Sequence, residues 1–92
     1  MQIITMEEAK AYLRVDSDDD DSIIMILIDT AEKICIDVAR MADDEFFMLG
    51  DYVKTPVLYA LAYLFEHREE ADHDGLKKTL RSLMSDIRKQ VF

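Results

Sequence analysis

The chain predicts an all-α fold, a small bundle of about four helices with a short N-terminal helix and a long central one. Three observations carry this expectation. Only two Gly and one Pro occur in 92 residues, too few for a sheet that must turn every few residues. Six Met accompany many Leu, Ala, Glu and Lys, the residue types that lose least on entering a helix. Apolar positions recur at three- and four-residue steps, and cap residues stand where those stripes begin.

The first helix starts at a capping box, in which Thr5 accepts from a free backbone amide and Glu8 reaches back to the Thr5 amide. Ala9, Tyr12 and Leu13 form its apolar side, and it ends as Asp16, Ser17, Asp18, Asp19, Asp20 and Asp21 approach. Carboxylates favour the positive end of a helix dipole and cap free amides, so this run precedes a second helix, roughly Asp19 to Arg40. Ile24, Leu27, Ile28, Ala31, Ile34, Cys35 and Val38 make its buried stripe. Asp29, Glu32, Lys33 and Asp37 make a solvated face.

From Met41 to Lys54 the period breaks, giving a connector with room for one helical turn. It contains Phe46, Phe47, Met48 and Leu49 in succession, although connectors normally run over the surface. Either this quartet folds back onto the domain's own core or it meets a neighbouring subunit. Thr55 and Pro56 signal the next start, threonine as N-cap and proline in the first turn. That third helix runs to about Glu70. From Val57 to Phe65 it has no polar face, so it demands burial all round, either by the other helices or by a subunit contact. After Asp72, His73, Asp74 and Gly75 a last helix runs from about Leu76 to the end. Leu76, Leu80, Leu83, Ile87 and Val91 form its stripe, widened by Met84. Its other side carries Lys77, Lys78, Arg81, Arg88 and Lys89 against the single acid Asp86, the one positive segment of the chain.

At 92 residues the chain is one domain, 1–92, near the lower end of what supports its own core. Hydrophobic residues make up 50% and charged residues 34%, a mixture that folds and does not stay disordered. Eleven Lys and Arg against twenty Asp and Glu leave a net charge of −9, so the overall field repels free duplex DNA. A helix-turn-helix DNA binder is suggested only by the short helices and the basic last helix. Cys35 is the sole cysteine and lies in an apolar helical pattern, which predicts a buried thiol without an intrachain disulfide. Met1 to Thr5 lacks a basic region followed by a long apolar run, and no uncharged stretch reaches about 18 residues. The expectation is a protein neither secreted nor membrane-spanning.

Signals of reaction chemistry in the chain are weak. Asp16, Asp18 and Asp20 alternate as in a calcium loop, but that template needs glycine sixth and glutamate twelfth, where this chain has Asp21 and Leu27. Glu70 and His73 have a Glu-x-x-His spacing used in di-metal bundles, in one copy and without partner glutamates. His67 is expected to cap or hydrogen-bond at the exit of the third helix. Ser17, Ser22, Ser82 and Ser85 lack the sharp glycine-assisted turn of a nucleophile, and no glycine-rich phosphate loop occurs. The expectation is a protein that is not an enzyme and needs no metal or cofactor.

Three segments, in order, carry a resemblance. They are the opening Ile4, Thr5, Met6, Glu7, Glu8, Ala9, Lys10, Ala11, Tyr12, Leu13, Arg14, Val15, Asp16 with the acidic start after it; the apolar helix Thr55, Pro56, Val57, Leu58, Tyr59, Ala60, Leu61, Ala62, Tyr63, Leu64, Phe65 with Glu66, His67, Arg68, Glu69; and the closing Leu80, Leu83, Met84, Ile87, Arg88. Together they resemble the head-tail connector family of tailed phages over nearly the whole chain, with 41–54 the exception. The resemblance implies a structural protein forming a ring of about a dozen copies in cyclic symmetry. Such a ring lies below the phage portal protein, meets a downstream tail-side connector, and lets DNA pass through its lumen without specific binding. It implies a place at the head-tail junction of the virion, and in the bacterial host cytoplasm before assembly. An acidic lumen repels passing phosphates and lets DNA slide.

Apolar exposure, not any family site, singles out Phe46, Phe47, Met48, Leu49, Tyr59 and Tyr63 for burial between subunits. Lys77, Lys78 and Arg81 are expected to face the portal or an acidic neighbouring copy. A different class of function remains open on the same residues: a small acidic helical adaptor or regulator that binds one host protein.

Overall fold

A computed structural model describes residues 3–67 and 72–91. Among them are five α-helices, one 3-10 turn and no strand, so the fold is all-α. The helices are α1 (Met6–Leu13), α2 (Asp21–Ala39), α3 (Asp43–Met48), α4 (Lys54–Glu66) and α5 (His73–Val91), with the 3-10 turn over Gly50–Val53 leading into α4. α2 is the axis of the bundle, packing most extensively on α4, then on α5 and α1.

Thr5 opens α1 as its sequence predicts. Its Oγ1 accepts the Glu8 amide at 3.1 Å, and Glu8 Oε1 accepts the Thr5 amide at 3.2 Å. The helix closes in a Schellman motif, with Arg14 in the left-handed region at φ 59°. The Arg14 amide bonds the Ala11 carbonyl, and the Val15 amide bonds that of Lys10. Ala9 is buried and Leu13 half-buried, whereas Tyr12, expected on the same apolar side, is exposed.

The aspartates precede α2, yet none of them caps it through a side chain as expected. Asp20 occupies the N-cap with φ −103° and ψ 8°, away from the extended geometry that aims a cap carboxylate at the next amides. Lys10 instead reaches across from α1 to Asp18 and Asp21, each at 2.9 Å. The buried Asp21 Oδ1 has the Lys10 ammonium at 2.9 Å, which compensates its charge. α2 ends on a second left-handed arginine, Arg40 at φ 56°, whose amide bonds the Ile36 and Asp37 carbonyls.

The stripe of α2 is as predicted in Ile24, Ile28, Ala31 and Cys35, all buried, with Leu27, Ile34 and Val38 half-buried. Glu32 departs from its expected solvated face and is 2% exposed. The Ile3 amide donates to its Oε2 at 2.6 Å, and the Ile4 amide acts on the carboxyl in the same sense. The Ile3 bond pins the segment before α1 against α2, where Ile4 is fully buried.

The connector 41–54 is more ordered than expected, holding both α3 and the 3-10 turn. Asp43, Asp44 and Glu45 fill the first turn of α3, where carboxylates favour the dipole. The 3-10 turn feeds directly into α4, and the Lys54 amide bonds the Asp51 carbonyl. For that reason α4 starts at Lys54 with Val53 as N-cap, and Thr55 lies inside the first turn instead of capping it. The helix stops at Glu66, short of the expected Glu70, because His67 has left helical geometry at φ −119° and ψ 42°; residues 68–70 lie outside the described residues. α1, α2, α5 and the 3-10 turn all pack on α4. They bury Pro56, Val57, Ala60, Leu61 and Leu64 and leave Tyr59 exposed.

α5 begins three residues before the expected Leu76. Asp72 caps it, Oδ1 accepting the Gly75 amide at 3.0 Å, and a Cβ at Gly75 would stand 2.6 Å from Asp72 Oδ2. Glycine there leaves room for the capping carboxylate. Leu76, Leu80 and Met84 are buried, Leu83 and Ile87 half-buried, and the Val91 side chain lies outside the described residues.

Candidate interaction surface

The connector quartet divides. Phe46 is fully buried, so it is core and offers nothing to a neighbouring subunit, contrary to the expectation for it. Its ring meets Phe47 edge to face, centroids 6.1 Å apart at 81°. Phe47 and Leu49 are half-buried against the core. Met48, pointing away on the six-residue helix α3, is 86% exposed. About half a helical turn separates Phe46 from Met48, so they point to opposite sides and only one of them can face inward.

The two tyrosines of α4 also differ. Tyr59 is exposed. Tyr63 is half-buried, its ring stacked on His67 at 4.3 Å and its hydroxyl accepting the Asp72 amide at 2.9 Å. His67 is held at the helix exit as expected, Nδ1 3.0 Å from the Tyr63 carbonyl. Tyr63 thus ties the end of α4 to the start of α5, a task within its own subunit.

The basic residues of α5 are spent unevenly. Lys77 approaches Asp37 of α2 at 3.7 Å within the same chain. Lys78 and Arg81 are exposed, with no ion-pair partner among the described residues. Arg81 lines a hollow of about 260 Å³ with Val38, Ala39, Arg40, Met84 and Ser85, between the end of α2 and the middle of α5.

A surface feature absent from the sequence expectations lies at the other end of α2. Ile26 is 65% exposed and Met25 57%, with Ile23 beside them also exposed. The signal was present in the uninterrupted run Ile23, Ile24, Met25, Ile26, Leu27 and Ile28. A run of that length wraps the helix, so part of it must face outward. The three side chains follow directly on Asp16, Asp18, Asp19, Asp20 and Asp21, placing an apolar patch next to concentrated negative charge. Lys10 offsets two of those carboxylates; its ammonium holds Asp18 below its ordinary pKa, and Asp18 in turn raises that of Lys10.

Among the described residues no group of His, Cys, Asp and Glu is placed to hold a metal ion, and Glu70 of the Glu-x-x-His spacing lies outside them. Cys35 is buried and its thiol is pushed up to about 12, by burial first and Glu32 second, so it is a core residue and no nucleophile at neutral pH. Burial also pushes the Glu32 carboxyl up, against the pull of the Ile3 and Ile4 amides. No helix among the described residues is long and apolar enough to cross a membrane. Comparison of the chain with protein-family models, with curated proteins and with solved structures gives no match.

Proposed function

We propose that this chain is a structural subunit that works by assembling with further copies of itself, as a head-tail connector ring of a tailed phage or prophage. The observation that carries the reading is the outward apolar set on α2, Ile23, Met25 and Ile26, joined by Met48, Tyr52 and Tyr59 elsewhere on the surface. Isolated exposed apolar residues are ordinary, but several within one turn of a helix mark a face meant to be covered. The order of segments resembling the connector family supports the same reading, and so does the charge of −9, which suits a lumen that must not retain DNA. In this function the chain contributes shape, apolar contact and charge and performs no reaction. Its partners are neighbouring copies, the portal above and a tail-side connector below, at the head-tail junction of the virion.

The test is mass in solution, by size-exclusion chromatography with light scattering and by native mass spectrometry, over a range of protein and salt concentrations. A ring of defined copy number, or concentration-dependent growth toward one, is the expected result. A strict monomer at every concentration and salt, with and without a portal protein, overturns the reading and favours the small acidic adaptor instead.

A further inference from the structure

We infer that the hollow between α2 and α5 receives the acidic front of a second copy of this chain, so that copies join head to tail through unlike surfaces. The inference rests on the self-assembly proposed above and specifies which surfaces meet. The hollow is lined by the half-buried Val38, the almost fully buried Ala39 and Met84, the exposed Ser85, and the exposed Arg40 and Arg81. Lys10, Lys33, Lys54 and Lys77 each hold a carboxylate of this chain. Arg40 and Arg81 hold none among the described residues, in a protein with a marked excess of acid. Two guanidiniums without a carboxylate among the described residues, lining one hollow, fit an acidic segment, since arginine pairs with carboxylates in a planar, two-pronged geometry.

This chain carries such a segment. Asp16, Asp19 and Asp20 make no ion pair among the described residues, and Ile23, Met25 and Ile26 stand exposed just beyond them. The two surfaces sit at opposite ends of α2, whose 19 residues span about 28 Å at 1.5 Å per residue. A subunit therefore cannot fill its own hollow with its own front, whereas the next copy can. A helix with side chains is about 10–12 Å across, so a hollow of about 260 Å³ admits side chains of the incoming segment and not the helix itself. Contact between unlike patches repeats from copy to copy and yields a ring where the rotation closes.

The experiment uses two charge-reversed forms of the full chain. One carries Arg40→Glu with Arg81→Glu; the other carries Asp16→Lys with Asp19→Lys, all four positions being exposed. Each form alone sets like charges against each other at every seam, and each is expected to self-associate at least about tenfold more weakly than the parent chain. Mixed one to one, the reversed back of the first meets the reversed front of the second, and its unaltered front meets the other's unaltered back. The mixture is expected to assemble, less so at high salt. Circular dichroism confirms folding of each form. Should Glu at the left-handed position 40 unfold the chain, Arg81→Glu alone replaces the first form. A parent chain that assembles while both reversed forms assemble equally well, or while the mixture stays dissociated, places the seam elsewhere and overturns this inference without touching the connector reading. A parent chain that never assembles overturns both.

Discussion

Replacing Glu32 separates two roles that one buried carboxyl plays. Its Oε2 is the partner of the Ile3 amide, and its charge is enclosed at 2% exposure. Glu32→Ala removes the oxygens, leaves the part-buried Ile3 amide unmet and loosens the segment that seats Ile4. A lost hydrogen bond to a charged group in such a setting is worth about 2 kcal/mol, which in a domain of this size lowers the melting temperature by about 8–16 °C. Glu32→Gln keeps an acceptor oxygen and discards the charge. Burial raises the Glu32 carboxyl above its ordinary 4.5, so its contribution to stability is fully present below that value and is lost as pH rises through the raised folded value. The glutamine form should therefore match the parent at low pH and equal or exceed it near neutrality. The assay is thermal unfolding by circular dichroism across that window. A glutamine form as damaged as the alanine form, or an alanine form that melts with the parent, would refute the reasoning.

Phe46 and Met48 give a matched pair two residues apart. Phe46→Ala should cost about 3–5 kcal/mol by opening a core cavity, and Met48→Ala less than about 0.5 kcal/mol as a surface change; denaturant titration that ranks them equally contradicts the placement of α3. Lys54, 2.8 Å from Glu8 Oε2, holds that carboxyl below its ordinary 4.5, with the Thr5 amide adding to it. The pair's stabilisation is present above that value and fades as pH falls through the lower folded one. Lys54→Met should flatten the acid side of the stability curve, followed as melting temperature from about pH 6 to pH 3. Cys35 should resist a thiol reagent at about pH 8 in the folded chain and react promptly once denatured; rapid labelling of the folded protein would count against its burial.

The fold was legible in the sequence where local chemistry and period agree. Thr5 and Glu8 announce α1, and Ile24, Ile28, Ala31 and Cys35 announce the inward side of α2. Agreement fails where a tertiary contact outranks the residue's own preference. Glu32 lies four residues after Ile28 and three before Cys35, on the buried line by spacing, but a carboxylate reads as solvent-facing unless the amides that meet it are known. The bonded amide belongs to Ile3, 29 positions away, which no local pattern discloses. Helix α3 is too short to show a period, so Phe46 to Leu49 could not be divided into core and surface beforehand. The basic side of α5 was visible as charge, but the pairing of Lys77 with Asp37 depends on how α5 lies on α2. The outward part of Ile23 to Ile28 was hidden by reading that run only for its inward half.

The two left-handed arginines bear on how far this small domain stands from its own ceiling. A side chain in that conformation costs about 1 kcal/mol relative to glycine. At Arg14 the closing hydrogen bonds come from the backbone, so Arg14→Gly should keep the motif and raise the midpoint of unfolding. At Arg40 the same exchange should also firm up the lone subunit while deleting a guanidinium from the rim of the hollow. Arg40→Gly thus makes sturdiness and sociability move in opposite directions, and Arg14→Gly raises the first alone.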